Sequence, residues 1–386
     1  MLIPPKLSLY IHIPWCVQKC PYCDFNSHAL KSGIPEQAYI DALLEDLDQD
    51  IQRYKLSEAP RPLHSIFIGG GTPSLISAGE IKRLLDGVKS RLAFQPGIEI
   101  TMEANPGTIE AERFAQYQQA GITRISVGVQ SFDAEKLTRL GRIHGPDEAI
   151  RAAHLAHKIG LKSFNLDLMH GLPDQTLPQA MSDLEQAIAL NPPHLSWYQL
   201  TIEPNTLFYS QPPRLPDDDL LWDIFEQGHQ KLTQAGYVQY EISGYSKPGF
   251  QCQHNLNYWR FGDYLGIGCG AHGKLSFSDG RIIRTTKVKH PKGYLNLLKP
   301  YLDSETEVPE TDRPFEFFMN RFRLIEPCPK QDFPATTGLP LATVQPTIEW
   351  ARQQGFLTET EQTWQITERG KLFLNDLLAA FMPEEG

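Results

Sequence analysis

The sequence predicts an α/β protein: a partial TIM-like barrel of six β/α units, followed by a small C-terminal winged-helix-like domain. Three observations carry that prediction. Short β-branched or aromatic runs alternate with longer stretches of helical spacing over residues 7–202, and such alternation means βαβ units on a parallel sheet. Polar and glycine-rich residues follow the runs, where a barrel of this kind places its site. Beyond residue 203 the alternation stops, and the chain ends in a helix–hairpin–helix order.

The strand-like runs are 7–13, 65–69, 98–103, 124–129, 163–169 and 195–202. Between them, residues 36–54 have helical periodicity, with Tyr39, Ile40, Leu43, Leu44, Leu47 and Ile51 on one face. Segments 78–92, 108–120, 146–159 and 178–190 also read as helices. Six units are too few for an eight-fold barrel, so the expectation is an open or partial one. The first run leads into a cysteine loop and the second into Gly69-Gly70-Gly71-Thr72-Pro73. The third ends in Glu103-Ala104-Asn105-Pro106 and the fourth in Gln130-Ser131. The fifth carries Asp167 and ends in His170-Gly171-Leu172-Pro173. Turn chemistry accounts for any one of these; it does not readily account for polar groups at every strand end.

Further on, residues 211–216 read as a connection, 217–235 as a helix and 237–243 as a strand. A glycine- and aromatic-rich stretch covers 252–273, and the acidic run 303–314 reads as a linker. At the C-terminus, 341–354 and 368–380 read as helices around a hairpin of 356–358 and 364–367. The expected division is 1–240 for the barrel, 241–305 for a segment packing on it, and 306–386 for the C-terminal domain. A winged helix often binds DNA. Glu359 and Glu361 on the hairpin and Glu384-Glu385 in the tail oppose that here.

The net charge of the 386-residue chain is −10, which argues against a general nucleic-acid binder. Six cysteines, three clustered and three scattered (Cys252, Cys269 and Cys328), do not make a disulfide framework and fit a reducing compartment. The start, Met1 to Lys6, lacks a charged and then apolar leader, and no apolar run is long enough to span a bilayer. The expectation is a cytoplasmic protein with no membrane span. Peripheral membrane contact and a homodimer stay open.

The chemistry centres on Cys16, Cys20 and Cys23, three thiols within eight residues. Thiolates this close converge on a soft metal centre. Structural zinc wants a fourth ligand, for which His12 and His28 are the local candidates. Electron-transfer clusters are closed by four cysteines, so three point to a [4Fe-4S] cluster with one iron open. The CxxxCxxC spacing, with Tyr22 before the third cysteine, resembles the radical S-adenosylmethionine (SAM) superfamily. That resemblance implies a barrel of radical SAM type and SAM chelated at the open iron. It also implies cleavage of SAM by an electron from the cluster to give a 5′-deoxyadenosyl radical.

Gly69-Gly70-Gly71-Thr72-Pro73 resembles the superfamily's GGGTP motif, which receives the amino end of the SAM methionine; glycines allow close approach and expose N–H groups. The resemblance narrows to the oxygen-independent coproporphyrinogen III oxidase-like branch and covers nearly the whole chain. By that resemblance the SAM contacts are Tyr10, Tyr22, Gly70, Gly71, Thr72, Glu103, Gln130, Arg142 and Asp167. Physically, SAM carries a sulfonium, an ammonium and a carboxylate, so acids, amides and an arginine all suit it. Two departures oppose oxidase activity. The oxidases carry a further cysteine where this chain has Phe25, and they have a longer arm before the tyrosine matched by Tyr10. His254-Asn255-Leu256-Asn257-Tyr258-Trp259 matches HNxxYW, a signature of heme-chaperone members of the branch. This implies heme as a ligand and heme proteins, respiratory ones by resemblance, as acceptors. His254 is then the candidate iron ligand and Cys252 its rival. The alternative reading is the oxidase, decarboxylating two propionate side chains.

Overall fold

The computed structural model describes residues 2–383 except 32, 108–110, 297 and 299. Met1, the start of the helix expected at 108–120, and the acidic tail Glu384-Glu385 therefore lie outside the described residues. Strand β1 (Leu7–Ile13) is buried on both faces, as a strand inside a parallel sheet must be. It is followed by β2 (Leu63–Gly70), β3 (Phe94–Ala104), β4 (Arg124–Gln130), β5 (Ser163–His170) and β6 (His194–Gln199). These six lie side by side in chain order and all run parallel. The connecting helices are α1 (Glu36–Arg53), α2 (Ala78–Arg91), α3 (Phe114–Ala120), α4 (Pro146–Lys158) and α5 (Leu177–Ala189). The (β/α)6 body expected from the sequence is thus present. On α1 the predicted apolar face buries Tyr39, Ile40, Leu43 and Leu47 completely, each worth about 1.5–3 kcal/mol.

After α6 (Asp218–Gln234), whose first turn is capped by Asp217, the segment expected as one strand at 237–243 is broken. It forms β7 (Val238–Gln239) and, after a gap, β8 (Gly244–Ser246), both antiparallel additions beyond β6. In the gap Glu241 is buried and bridges to Leu324. Helix α7 (Gln253–Trp259) carries the HNLNYW motif. Next come β9 (Asp263–Ile267), β10 (His272–Ser276), β11 (Ile282–Lys287) and β12 (Leu302–Glu307). They extend the sheet beyond β1, with β9 parallel to β1 and the rest antiparallel. The described sheet has twelve strands in the order β12-β11-β10-β9-β1-β2-β3-β4-β5-β6-β8-β7.

The acidic stretch read as a linker is therefore partly a strand. β12 pairs with β11 through its backbone while its side chains stay mostly exposed. A charged edge strand has no apolar alternation to announce it, and its charges discourage further pairing. The added strands are fastened to α1 by a buried cluster. Lys287 contacts Asp46 and donates to Asp50 at 2.7 Å, and Tyr294 donates to Asp46 at 2.6 Å. Removing one partner of such a buried pair costs about 3–5 kcal/mol.

The C-terminal body contains α8 (Arg313–Arg321), β13 (Cys328–Pro329), α9 (Gln345–Gln353), β14 (Leu357–Glu359) and β15 (Thr363–Ile366). Its small sheet has the order β13-β15-β14. The expected closing helix is split at Phe373 into α10 (Glu368–Leu372) and α11 (Leu374–Ala379). Phe317, Phe318, Phe333, Trp364 and Phe381 form its core, joined by Leu2, Phe261 and Ile282 from the main body. Glu359 does not project its charge, because Lys330 and Arg352 pair with it at 2.7 and 2.9 Å. Among the described residues, no helix is long and apolar enough to cross a membrane.

Candidate functional site

Two cavities open at the C-terminal ends of the parallel strands. The larger has a volume of about 510 Å³, and Cys16, Cys20 and Cys23 all line it. Strand β1 delivers the chain to this loop, and the Trp15–Cys16 backbone pairs with His28–Ala29 to close its base. All three cysteines are free, and burial raises the Cys16 and Cys23 thiols above their ordinary range. A metal takes the thiolate, so filling this site requires proton loss. Among the described residues, no three His, Cys, Asp or Glu side chains gather tightly enough for a single metal ion. The three thiols line the wall of one cavity. Neither zinc-ligand candidate joins them. His12 donates from Nε2 to the Asn26 carbonyl at 2.8 Å, and its Nδ1 accepts from Tyr10. The His28 Nε2 lies 3.3 Å from the Lys289 carbonyl.

The other predicted contacts line the same cavity, with one exception. Tyr22, Gly70, Gly71, Thr72, Glu103, Gln130, Arg142 and Asp167 all border it, whereas Tyr10 borders the neighbouring one. Glu103 and Asp167 form an acidic floor. Burial, then the nearby Asp167, pushes the Glu103 carboxyl up to about 8, against the pull of the Gly70 N–H at 3.1 Å. Burial also raises Asp167, although Ser126 and Asn165 donate to it at 3.0 and 2.7 Å. Two desolvated acids side by side favour either a proton or a cation between them. Arg142 spans from the ends of β3 and β4 to the cysteines. Its Nη2 donates to Asn105 Oδ1 and the Gly128 carbonyl at 2.8 and 2.7 Å, and its Nη1 lies 3.7 Å from Cys20 Sγ. Gln130 sits at φ 70 after a bulge in β4. That conformation is costly for a non-glycine residue, and here it accompanies a side chain that accepts from Tyr198 at 2.9 Å.

The N–H groups that the glycine motif was expected to expose are engaged within the protein. The N–H groups of Gly70, Gly71 and Thr72 are engaged by Glu103, the Ile13 carbonyl and the Trp15 carbonyl. A Cβ on Gly71 would lie 2.5 Å from the Trp15 oxygen, and one on Gly70 2.5 Å from the His12 ring. These glycines let β2 press against β1. What they leave for a bound ammonium, itself only a donor, is an acceptor set led by Glu103.

The smaller cavity, about 370 Å³, shares Phe25, Gly70 and Glu103 with the larger one and is otherwise mostly aromatic and imidazole-lined. Helix α7 stands between the two. His254 and Tyr258 face the smaller cavity, while Asn255 and Trp259 face the larger. Each pair is four residues apart, one helical turn. The His254 Nδ1 lies 3.0 Å from Ser65 Oγ, and its ring stands 5.2 Å from that of Phe67. Burial, then His64 and Arg124, lowers it to about 3. It is a neutral imidazole, the form that binds metals. The rival Cys252 reaches neither cavity. Its thiol is fully buried, raised to about 12, and lies 3.5 Å from Glu99.

Sequence reasoning missed several members of the larger cavity. Tyr198 stands at the end of the sixth run, where the strand-end rule finds it. Trp259 lies within HNxxYW, but nothing in the motif says which cavity it faces. Glu241 and Arg323 had no signal, since a non-sequential bridge between their segments brings them in. The Arg323 guanidinium lies over the Trp259 ring at 4.4 Å.

The family model "Radical SAM superfamily" matches residues 10–184, and "HemN C-terminal domain" matches 308–373. The chain is 66% identical over 380 residues to heme chaperone HemW of Escherichia coli (strain K12), covering 98% of this chain and 99% of that protein. It is 66% identical over 381 residues to heme chaperone HemW of Haemophilus influenzae, covering 99% of each. Bacillus subtilis HemW is 33% identical over 387 residues, with 98% and 99% covered. Among solved structures, E. coli coproporphyrinogen III oxidase (HemN), a radical SAM enzyme, matches with a TM-score of 0.81. Its identity is 22%, with 98% of this chain and 90% of that one covered, so the likeness shows the fold. The chain belongs to the HemW heme chaperone family of the radical SAM superfamily.

Proposed function

We propose that the larger cavity holds a [4Fe-4S] cluster and SAM, that the smaller holds heme, and that the protein passes this heme to acceptor heme proteins, respiratory ones among them. The observation that carries the reading is the two-faced helix α7. One motif furnishes a neutral imidazole and an aromatic ring to one cavity, and an amide and an indole to the other. Cys16, Cys20 and Cys23 would hold the cluster and leave an iron open. Glu103 and Asp167 would receive the SAM ammonium and ribose, and Arg142 would balance charge near Cys20. Gln130 would be fixed by Tyr198. Tyr10 would contribute from the smaller side. Together, cluster and SAM supply one-electron chemistry when bound.

His254, with Nδ1 held by Ser65, would offer Nε2 to iron, while Tyr258 supplies flat apolar area to the porphyrin. The name the relatives carry, heme chaperone, supports transfer as the outcome. Phe25 supports a carrier over an oxidase, since it occupies the oxidases' extra cysteine position and lies between the two cavities. Hemin titration of anaerobically purified protein tests the proposal. One saturable site is expected, weakened at least tenfold in His254→Ala. Absence of saturable binding, or binding unchanged in the variant, overturns the heme assignment.

A further inference from the structure

The smaller cavity contains three histidines, and they are not equivalent. Both nitrogens of His12 are engaged, by Tyr10 and by the Asn26 carbonyl. His254 has Nδ1 engaged. His272 is exposed at the start of β10, and its ring makes no side-chain hydrogen bond among the described residues.

The sheet register places His272 beside a particular row. Tyr10 of β1 pairs with Phe67 of β2 on one side and with Gly266 of β9 on the other. The β9–β10 ladder pairs Tyr264 with Lys274, so Gly266 faces His272 across it. A Cβ on Gly266 would fall 1.9 Å from the His272 carbonyl oxygen. Phe67, Tyr10 and Gly266 therefore form one row across three adjacent strands, and the His272 main chain lies over its Gly266 end. His254 stands over the Phe67 end. Gly266 adds no side chain, and the His272 main chain fills the place one would take. His254, from α7, and His272, from β10, both line the smaller cavity, so both imidazoles belong to one compartment.

We propose that His272 supplies a second imidazole ligand to the iron of the heme held by His254, so that the cargo is bound between α7 and β10. This rests on the heme reading above and adds a ligand to it. The surroundings suit the ligand. Partial burial, then the positive Lys289 and Arg284, lowers His272 and keeps it neutral; Arg284 is already paired with Glu316 at 2.6 Å, which leaves Lys289 as the cation for an acidic propionate of heme. The turn that presents His272 is held by the cysteine loop. Asn26 donates to the Cys269 and Lys289 carbonyls at 3.0 and 2.9 Å and fills the space beside Gly270, where a Cβ would lie 2.2 Å from its side-chain nitrogen. His272 is also the exposed ligand, and its release would leave the heme held on one side only.

The test is the spin state of hemin on the full-length protein, read by absorption and electron paramagnetic resonance. The wild type is expected to give a six-coordinate low-spin ferric signal. His272→Ala should lose that signal and turn high-spin while still taking up hemin, and added imidazole should restore the low-spin form. His272→Gln should behave like His272→Ala, with iron–sulfur content unchanged as the folding control. A high-spin wild type, or a low-spin signal that survives both variants, overturns the second-ligand assignment alone. A wild type that takes up no hemin overturns the heme reading and this inference with it.

Discussion

The two cavities share a wall at Phe25, Gly70 and Glu103, yet their linings belong to different chemistries. One gathers thiols, three buried carboxyl groups and two guanidinium groups. The other gathers tyrosines and neutral imidazoles. The first suits a charged ligand that brings its own cation, and the second suits a flat, largely apolar one. The polar set comes chiefly from the ends of β1 to β5, in chain order. The aromatic set needs β9, β10 and α7, which join from the other end of the sequence. The parallel body thus provides the thiol- and carboxyl-lined cavity, and the added strands provide a second compartment against it.

The comparison is broken hardest by Cys20→Ala. The variant should lose essentially all cluster iron and sulfide, measured after anaerobic purification, while its hemin titration stays near that of the wild type. Simultaneous loss of both would show one compartment rather than two. Next comes Glu103→Gln, which sits on the shared wall. Hydrogen bonds to a charged group are worth about 1.5–3 kcal/mol, so SAM affinity by calorimetry should fall roughly tenfold to a hundredfold. Because the free carboxyl is pushed up to about 8, wild-type affinity for this cation should rise with pH toward that value, and the variant should lose the dependence. Stability runs the other way. A raised folded-state value means that the native protein binds the proton more tightly than the unfolded chain. The contribution is therefore full below the ordinary carboxyl range and lost as pH rises to about 8. Thermal melts should show Glu103→Gln gaining on the wild type at pH 8 and not at pH 4.

The smallest effect, and the one that sharpens the link between compartments, is Asn26→Ala. It removes two hydrogen bonds to carbonyls of the β9–β10 and β11 connections. A loss of about 1–3 kcal/mol is expected in denaturant unfolding, with weakened hemin binding and an intact cluster.

Much of this was legible in the sequence because its causes are local. All six parallel strands fall within a few residues of their apolar runs, since strands inside a covered parallel sheet are largely apolar. The CxxxCxxC, GGGTP and HNxxYW motifs are contiguous and carry their spacing with them. What stayed hidden depends on long-range pairing. β12 is charged and edge-exposed, so periodicity read it as a linker. Glu241 and Arg323 are brought to the larger cavity by a bridge between distant segments. The glycine motif was visible, but its N–H groups proved to be engaged by Glu103 and by the carbonyls of Ile13 and Trp15, which no spacing rule anticipates.

Helix α7 has one further consequence. Each residue advances an α-helix by about 100°, and Asn255 directly follows His254. Adding or deleting a single residue between Asn255 and Tyr258 would swing the Tyr258 ring and the indole off the faces that His254 and Asn255 keep. This partition is therefore a counted element: side chains along it can be exchanged one at a time, but its length cannot drift.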